Sequence, residues 1–382
     1  MNIATPYLNS KNALSHIPLV KPSITKKEIS YVNDAIKNGW GSKKNHYIEK
    51  FENSFTKKIG IKYGVSTSSC TGALHLGLAA LGIKKGDEII VPESTWIASV
   101  APLVHLGAKP VFVDIMEDSW CIDPNLVENA ITSKTKAIIC VHLYGNLCEL
   151  NQLKKISKKY NIPLIEDSAE AFGSYYSKKH VGTFGTFGVF SFHGSKTIST
   201  GEGGMLVTDD ENIYNKVKIL NDHGVNRELD QQYFPSQLGY KFKMTNTQAA
   251  MGLAQLERSD EILMKKIKIM DFYKDYFSAN KSISFNIEKR GNKNSYWMPT
   301  ALFHNQKDFF ISNLIAEFQF QNIDARSFFW PLSSLNFFKE NKNNKISRDI
   351  PLRAINLPSF FDINESQLTK ICNILESRNH DI

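Results

Sequence analysis

The sequence predicts an α/β protein with a large domain, built on a parallel sheet that helices cover on both faces, and a smaller C-terminal α/β domain. Three observations predict this class. Short apolar β-forming runs alternate with helical stretches, an order typical of parallel sheets. The 382 residues suffice for one large domain and a smaller one. Hydrophobic residues at 42% and charged residues at 22% are typical of a globular protein.

The predicted elements follow in a regular order. A strand at residues 63–66 leads into the helical pattern TGALHLGLAALGI, and the strand EIIVP precedes WIASVAPLVHLG. The strand PVFVDI is followed by DPNLVENAI, where Asp123 is predicted to cap a helix and Pro124 to take its first position. A strand in KAIICVHLYG, the amphipathic helix ELNQLKKISKKY and the strand PLIED complete the series. We expect ligands at the carboxyl ends of these strands.

A long helical pattern, TQAAMGLAQLERSDEILMKKIKIMDFYKDYF, leaves the sheet region near residue 246. A mixed α/β segment with the polar loop KENKNNKISRD follows it. We therefore expect a large domain over residues 1–255 and a small domain over residues 256–382.

The composition limits the classes of function. No signal-peptide core and no run of about 18 apolar residues occurs, so we expect a cytoplasmic protein without a membrane partner. The net charge of +8 is spread along the chain without a nucleic-acid-binding motif, which favours an anionic small substrate over nucleic acid. The five cysteines are scattered and odd in number, so we expect reduced core or lining residues and no metal site.

The segment SSCTGAL, residues 68–74, is a candidate anion site because a small-residue turn runs directly into a helix. Free N–H groups and the positive end of the helix dipole favour an anion there, most naturally a phosphate. The same residues also fit a plain helix cap at Ser69 or Thr71.

Two further candidates follow strands of the predicted sheet. Asp167 ends the strand PLIED, where a helix cap or a salt bridge is the simpler interpretation, and Glu166 beside it points to the opposite face. Lys196 lies between VFSFHGS and TGEGG, a segment too apolar and glycine-rich for a solvated loop. A desolvated lysine loses its charge readily and attacks aldehydes, so Lys196 is a Schiff-base candidate.

An anion site, a carboxylate and an amine, in this chain order, match the needs of one cofactor. Pyridoxal phosphate requires a cradle for its phosphate, an acid that keeps its ring nitrogen protonated and a lysine for its aldehyde. Each feature alone is ambiguous. Their joint occurrence on an α/β chain indicates a pyridoxal-phosphate enzyme with Lys196 and Asp167 as catalytic residues.

The chain resembles the DegT/DnrJ-type sugar-nucleotide aminotransferases, a branch of the fold-type I pyridoxal-phosphate enzymes, from about residue 17 to residue 376. The blocks that carry the resemblance are IPLVKPSITKKEISYVNDAIKNGW, YIEKFENSF, SSCTGALHLGLAALGIKKGDEIIVP, CVHLYG, IEDSAEAFGS, VGTFGTFGVFSFHGSKTISTGEGGMLV, YKFKMTNTQAAMGLAQLER and INLPS. The resemblance implies a mixed, mostly parallel sheet, a smaller C-terminal domain and a homodimer with shared active sites.

The resemblance also implies roles for individual residues. Lys196 would bond to the cofactor and move protons, and Asp167 would pair with the ring nitrogen. The other implied cofactor contacts are Glu170 near the ring hydroxyl, Trp96 and Ala169 on the two ring faces, and Thr71, Gly72 and Ser191 at the phosphate. Trp96 also fits simple core packing. Where relatives often contribute Asn from the neighbouring subunit, this chain has Lys241, so either a charged phosphate contact replaces the amide contact or the contact is absent.

The resemblance implies ping-pong transfer of an amino group from L-glutamate to a nucleotide-linked 4-keto-6-deoxy sugar. The segments TGEGGM and IDARSFFWPLSSL are most similar to members that aminate C4 of a sugar of the GDP-4-keto-6-deoxymannose type. The product would be a 4-amino-4,6-dideoxy sugar nucleotide for surface polysaccharide (O-antigen) biosynthesis. Implied substrate contacts are Trp40, His193 and Arg326, although Trp40 also fits the core.

Several alternatives stay open at this point. The sugar is dTDP- or UDP-linked in other members, some of which aminate C3, and the chain is a dimer or a tetramer. A non-catalytic regulator would lack Lys196 or Asp167, and a sugar dehydratase of this architecture would have histidine in place of Lys196. A nicotinamide dehydrogenase would need a GxGxxG after the first strand, which is not found.

Overall fold

The computed structural model describes residues 16–226, 231–304 and 310–379. The strands in this part of the chain are β1 (Tyr63–Thr67), β2 (Glu88–Pro92), β3 (Lys109–Val113), β4 (Thr135–Val141), β5 (Leu164–Asp167), β6 (Tyr175–Tyr176), β7 (Lys179–His180), β8 (Phe187–Ser191), β9 (Gly204–Thr208), β10 (Ile283–Phe285), β11 (Thr300–Phe303), β12 (Arg326–Ser327) and β13 (Ala354–Asn356). The helices are α1 (Lys26–Asn38), α2 (His46–Ile59), α3 (Cys70–Ala80), α4 (Ala101–His105), α5 (Pro124–Asn129), α6 (Leu150–Tyr160), α7 (Glu211–Asn221), α8 (Asn246–Glu257), α9 (Ser259–Tyr276), α10 (Phe310–Phe320), α11 (Lys345–Arg353) and α12 (Glu365–Asn379).

The central sheet has seven strands in the order β1-β9-β8-β5-β4-β2-β3. The pairs from β3 to β8 are parallel, whereas β9 is antiparallel to both of its neighbours, β8 and β1. The mixed, mostly parallel sheet is therefore confirmed, and the wholly parallel sheet expected from the residue pattern is wrong at one strand. The reversal at β9 arises because β8 and β9 are joined by a loop of 12 residues without a crossover helix.

Most local predictions in this sheet are confirmed. The strand EIIVP is β2, and α5 begins after Asp123, whose side chain accepts a hydrogen bond from the backbone N–H of Asn125. The helical prediction for WIASVAPLVHLG is confirmed in part, since a 3-10 turn at Ile97–Ser99 precedes α4, whereas Trp96 before them is extended. Pro102 has no N–H to donate to the carbonyl four residues earlier. An α-helix therefore cannot run through this position from Trp96 and begins at Ala101 instead.

The long helical pattern after residue 246 is two helices, because the chain turns at Arg258, where α8 has ended and α9 begins. No glycine or proline marks this position in the sequence. The Arg258 guanidinium instead donates to the buried Glu28 carboxylate at 2.7 Å and to the carbonyl oxygen of Ser23 at 3.2 Å. A long-range ion pair therefore accompanies the break.

A second, antiparallel sheet lies in the C-terminal part, in the order β10-β11-β13-β12. An early segment of the chain joins it, since the backbone N–H of Ile17 donates to the Asn322 carbonyl and that of Asp324 donates to the Ile17 carbonyl. Because α8 ends at Glu257, the division at residues 255 and 256 falls inside that helix and stays a prediction. Among the helices of the described ranges, none has the length and apolar character needed to cross a bilayer.

Candidate active site

Lys196 lies in the loop between β8 and β9, at the carboxyl edge of β8. The loop is held by backbone hydrogen bonds from Lys196 to the His193 carbonyl at 2.9 Å and from Thr200 to the Phe192 carbonyl at 2.8 Å. Gly201 has a φ of +79°, a left-handed conformation that glycine adopts without strain. These contacts fold the loop back on the sheet and direct the lysine to a fixed place.

The amine of Lys196 lies between a carboxylate and an indole ring. Its Nζ atom is 3.1 Å from Glu170 Oε1 and 3.6 Å from the centroid of the Trp297 ring. The side chain is only 14% exposed. The indole Nε1 of Trp297 donates to the Ser195 carbonyl at 2.7 Å, which ties the ring to the lysine loop. The predicted reactive lysine is thus desolvated and oriented from two sides.

Glu170 is itself fixed by the turn that follows β4. Its second oxygen accepts the backbone N–H of Tyr144 at 2.9 Å, and Tyr144 has a left-handed φ of 55°. Burial raises the pKa of Glu170, and the charge of Lys196 opposes this rise. The lysine beside it therefore favours the ionised form of this carboxylate.

Asp167 ends β5 and is buried. Its carboxylate accepts the Ser99 hydroxyl at 2.7 Å and the backbone N–H of Ala169 at 3.1 Å. Burial raises the pKa of Asp167, while these two hydrogen bonds and the charge of Lys196 oppose the rise. Within the described residues it forms no salt bridge and no helix begins after it, so neither simpler interpretation holds and the acid remains available for a cationic partner.

Glu166 points to the other face, as predicted. It accepts the imidazole Nε2–H of His142 at 3.1 Å and backbone N–H groups of Gly182, Phe184 and Gly185 at 2.6–2.8 Å. Burial favours the neutral form of Glu166. The hydrogen bond and the charge of His142, together with the backbone N–H groups, outweigh burial and lower the pKa of Glu166. The two acids therefore have separate surroundings.

The cysteines have no disulfide partners. Four are buried, and Cys70, at the start of α3, is half-buried. Cys140 and Cys148 lie near His142, but both ring nitrogens of this histidine already have protein partners, Glu166 and the backbone N–H of Cys148. The three side chains are buried together, and the expectation of no metal site stays a prediction.

The segment SSCTGAL forms the start of α3, next to the lysine loop. Ser69 caps the helix by accepting the backbone N–H of Gly72 at 3.0 Å, so one of the two proposed caps is present. Gly204, which pairs with Ser191 across β8 and β9, packs so closely that a Cβ atom on it would meet the Cys70 nitrogen at 2.4 Å. This close approach brings Ser191 and the helix start together.

The charged residues of the site lie close enough to the start of α3 to influence it electrostatically. Asp167, Lys196 and Glu170 all act electrostatically on the Cys70 thiol, whose pKa burial raises well above its usual value. Thr71 and Gly72, the predicted phosphate contacts, lie in the first turn of the same helix. The positive end of α3 therefore faces the space beside the lysine and the two acids.

The predicted ring-stacking residues flank this region. Trp96 is 59% exposed, so the core-packing alternative is wrong for it, and its ring centroid is 6.1 Å from that of Phe329. Ala169 is half-buried and donates its N–H to Asp167. An exposed indole beside a buried acid is available to a flat ligand.

The remaining candidates lie at the periphery. Trp40 is 70% exposed and donates its indole N–H to the Ile36 carbonyl, so it is not a core residue. The His193 imidazole is 2.9 Å from the Ser195 hydroxyl, and Arg326 is exposed on β12. Lys241 forms an ion pair of 2.7 Å with Asp222 of its own chain. The substrate and phosphate contacts implied for Trp40, His193, Arg326 and Lys241 stay predictions.

Sequence reasoning missed three residues of the site. Trp297 lies about 100 residues beyond the lysine, without a recognisable motif. Tyr144 acts through its backbone, which the side-chain pattern of CVHLYG does not reveal. Ser99 could have been found, because it is a hydroxyl residue within the quoted segment around Trp96, close to the end of a predicted strand.

The donor set fits pyridoxal phosphate. A desolvated amine, a buried acid at a neighbouring strand end and a capped helix start beside both are the three groups that this cofactor needs. Fold and site together therefore define a pyridoxal-phosphate enzyme of the α/β type.

Comparison with known proteins gives the family. The model described as "DegT/DnrJ/EryC1/StrS aminotransferase family" matches residues 22–376, and the chain belongs to this family. It is 41% identical to "GDP-perosamine synthase" of Escherichia coli O157:H7 over 94% of this chain and 97% of that protein. It is 36% identical to the protein of the same name from Vibrio cholerae, over 94% and 98% of the two chains.

A solved structure agrees with this assignment. "Putative sugar aminotransferase Spr1654 from Streptococcus pneumoniae, PLP-form" is 29% identical, covers 95% of this chain and 98% of its own, and has a TM-score of 0.89. The same protein is also known in a PMP-form, with 28% identity over the same shares and a TM-score of 0.89. The predicted class, a pyridoxal-phosphate-dependent sugar aminotransferase, is confirmed, and so are the predicted fold and cofactor.

Proposed function

We propose that this aminotransferase transfers the amino group of L-glutamate to C4 of GDP-4-keto-6-deoxymannose and so makes a 4-amino-4,6-dideoxy sugar nucleotide, GDP-perosamine, for surface polysaccharide. Identities of 41% and 36% over nearly the full length of two proteins named GDP-perosamine synthase support this substrate. The net charge of +8 is consistent with two anionic substrates.

The observation that carries the proposal is the placement of the Lys196 amine between Glu170 and Trp297, beside Asp167 and the start of α3. Bound pyridoxal phosphate supplies an electron sink that stabilises charge on the carbon losing its proton. Asp167 would hold the ring nitrogen protonated, and the first turn of α3 with Ser191 would bind the phosphate. Lys196 would hold the aldehyde and then serve as the base that moves a proton between two carbons.

Glu170 and Trp297 keep the Lys196 amine in place between proton transfers. Glu170 accepts a hydrogen bond from the amine, and the indole covers it from water. General acid–base catalysis by a positioned group such as Lys196 is typically worth about 10²–10⁴-fold in rate. Trp96 and Ala169 would hold the cofactor ring, and Trp40, His193 and Arg326 would contact the nucleotide sugar.

We also propose that the active enzyme is a homodimer with shared active sites. In this arrangement Lys241 leaves Asp222 and reaches the phosphate bound by the partner subunit. Its side chain is 56% exposed, which leaves it accessible to a second chain. Sedimentation of the purified protein, together with a Lys241→Ala variant assayed for cofactor affinity, tests this part separately.

The decisive experiment has two arms. The purified protein is incubated with L-glutamate and a panel of GDP-, dTDP- and UDP-linked 4-keto and 3-keto sugars, and the products are identified by mass. Borohydride reduction followed by peptide mapping then locates the bound cofactor. We expect a 4-amino product from the GDP sugar and a cofactor label at Lys196. The Lys196→Ala variant should show neither the product nor the label. The matched control is Ser195→Ala, which keeps Lys196. A product only from 3-keto sugars contradicts the substrate, and a label elsewhere contradicts the site.

A further inference from the structure

A second lysine is buried close to Lys196 and has no function in the reaction described so far. Lys266 lies on α9, is only 7% exposed and donates through Nζ to the Trp297 carbonyl at 3.3 Å and to the Ser359 hydroxyl at 3.0 Å. It also donates to the Ser359 carbonyl. In the described part of the chain, no carboxylate lies within ion-pair distance of this ammonium.

Such a group is costly to bury. A buried ammonium loses several kcal/mol of hydration even after the protein has relaxed around it. Burial accordingly lowers the pKa of Lys266 to about 7. Its neighbour Lys265, by contrast, is half-buried and reaches only the Ile363 carbonyl. An apolar side chain would fill the position of Lys266 without this cost, but it would not hold the Trp297 carbonyl.

Trp297 is therefore held at both ends. Lys266 binds its backbone carbonyl, and its indole Nε1 donates to the Ser195 carbonyl at 2.7 Å. Between these two anchors, the ring lies 3.6 Å from Lys196 Nζ. Ser195, Lys196 and Lys266 also line one small cavity, so the two lysines and the loop that holds the indole border the same space.

We propose that Lys266 is a positioning residue for Lys196, and that it acts by fixing the Trp297 ring against the reactive amine. The negative face of an indole stabilises a nearby ammonium, more strongly when water is excluded. Loss of the Lys266 contact frees the Trp297 backbone, so the ring moves off the amine. The amine then becomes more accessible to reagents in solution. This inference rests on the proposed role of Lys196 but concerns its surroundings in the cofactor-free protein.

The test measures the reactivity of Lys196 without cofactor. Cofactor-free protein is treated with trace acetic anhydride at pH 8, and acetylation of each lysine is quantified by mass spectrometry. In Lys266→Met we expect Lys196 to be acetylated about tenfold faster than in the unaltered protein, from the loss of the indole contact. Lys266→Arg keeps a cationic donor and restores most of the slow rate. Lys274→Met is the matched control, because Lys274 lies on the same helix and contacts the adjacent Tyr296 hydroxyl at 3.0 Å.

Thermal melting of each variant separates positioning from general loss of structure. An unchanged Lys196 rate in a folded Lys266→Met variant overturns the proposal, as does an equal increase in Lys274→Met. If Lys266→Met does not fold, Lys266→Gln is measured in the same way, since its shorter amide carries no buried charge and does not reach Trp297. The borohydride experiment on the unaltered protein decides the cofactor site independently, so failure of that assignment is distinguishable from failure of this one.

Discussion

The Lys196 amine lies 3.1 Å from Glu170 Oε1, while Glu170 Oε2 accepts the backbone N–H of Tyr144 at 2.9 Å. The polar partner of the lysine is thus anchored to the turn after β4, two strands away from the lysine loop in the sheet. Two segments of the chain that are separate in sequence therefore determine where the amine lies.

Replacing Glu170 by Gln is expected to slow turnover. The amide still accepts the Tyr144 N–H, but it removes the charge that faces Lys196. A hydrogen bond to a charged group of this kind is worth about 10- to 100-fold in rate when it is lost from the reacting state. Steady-state assays with saturating glutamate measure the effect. The control variant is Glu202→Gln, because Glu202 is an exposed acid in the same loop as Lys196. Equal rates in the two variants contradict the role of Glu170.

Replacing Asp167 by Asn is expected to lower turnover about 100-fold or more, because an amide of the same shape cannot neutralise a protonated ring nitrogen. Stopped-flow measurement of the reaction with glutamate reports this step directly. Retention of more than a tenth of the activity speaks against the pairing of Asp167 with the ring.

Ser99→Ala is expected to shift the pH profile. The Ser99 hydroxyl stabilises the ionised form of Asp167 and so opposes the rise in its pKa that burial causes. Without this hydrogen bond the pKa of Asp167 rises further, and the acid limb of the profile moves to higher pH. Rates measured from pH 5 to pH 9 test this, and a shift to lower pH is the contrary result.

Acidification is expected to destabilise the protein through His180. This buried imidazole accepts the Gly173 N–H at 2.9 Å and is 2.6 Å from the Val181 carbonyl, and burial lowers its pKa to about 4. An unfolded histidine titrates near 6.5 and so binds a proton that the folded one does not. The contribution of neutral His180 to the free energy of unfolding is complete above about pH 6.5. It falls by up to about 3 kcal/mol as the pH drops toward 4.

Urea unfolding at pH 7.5 and pH 5 measures this loss. In His180→Gln the amide still accepts the Gly173 N–H but does not titrate, so the difference in unfolding free energy between the two pH values should shrink. The same pH dependence in both proteins argues against His180 as its source.

Glu28→Ala is expected to destabilise the fold by about 3 kcal/mol, because it removes the buried carboxylate partner of Arg258 and leaves the guanidinium with Ser23 and the exposed Glu261. Glu28 is 1% exposed, and hydrogen bonds lower its pKa to about 2 against the effect of burial. The control is Asp260→Ala, which removes an ion pair between the 84%-exposed Asp260 and Lys58 and should cost less than about 1 kcal/mol. Chemical denaturation compares the two, and similar losses would falsify the central role of Glu28.

Local patterns in the sequence predicted the parts of the fold that depend on neighbouring residues. The strand β2 and the cap at Asp123 follow from periodicity and side-chain chemistry within a few residues. The convergence of Lys196, Asp167 and the start of α3 was also predictable, because the carboxyl ends of parallel strands share one edge of a sheet.

The features that were not predictable depend on distant contacts. The break at Arg258 accompanies an ion pair with Glu28, about 230 residues away, and nothing local distinguishes Arg258 from a residue inside a helix. Trp297 lies about 100 residues beyond Lys196, and Lys266 contacts only its backbone carbonyl, so these contacts exist only in the tertiary structure. The direction of β9 is reversed because the loop before it contains no crossover helix. The apolar pattern of the strand itself does not indicate its direction.

The pairing of Ile17 with residues 322–324 has a consequence for how the molecule is made. The two partners are separated by about 300 residues, which a ribosome needs roughly 15–60 s to add at about 5–20 residues per second. Throughout that interval the segment around Ile17 has emerged but lacks its partner. The segment around Ile17 is therefore among the last to be secured, and a nascent chain stalled before residue 322 should remain open to protease at this segment.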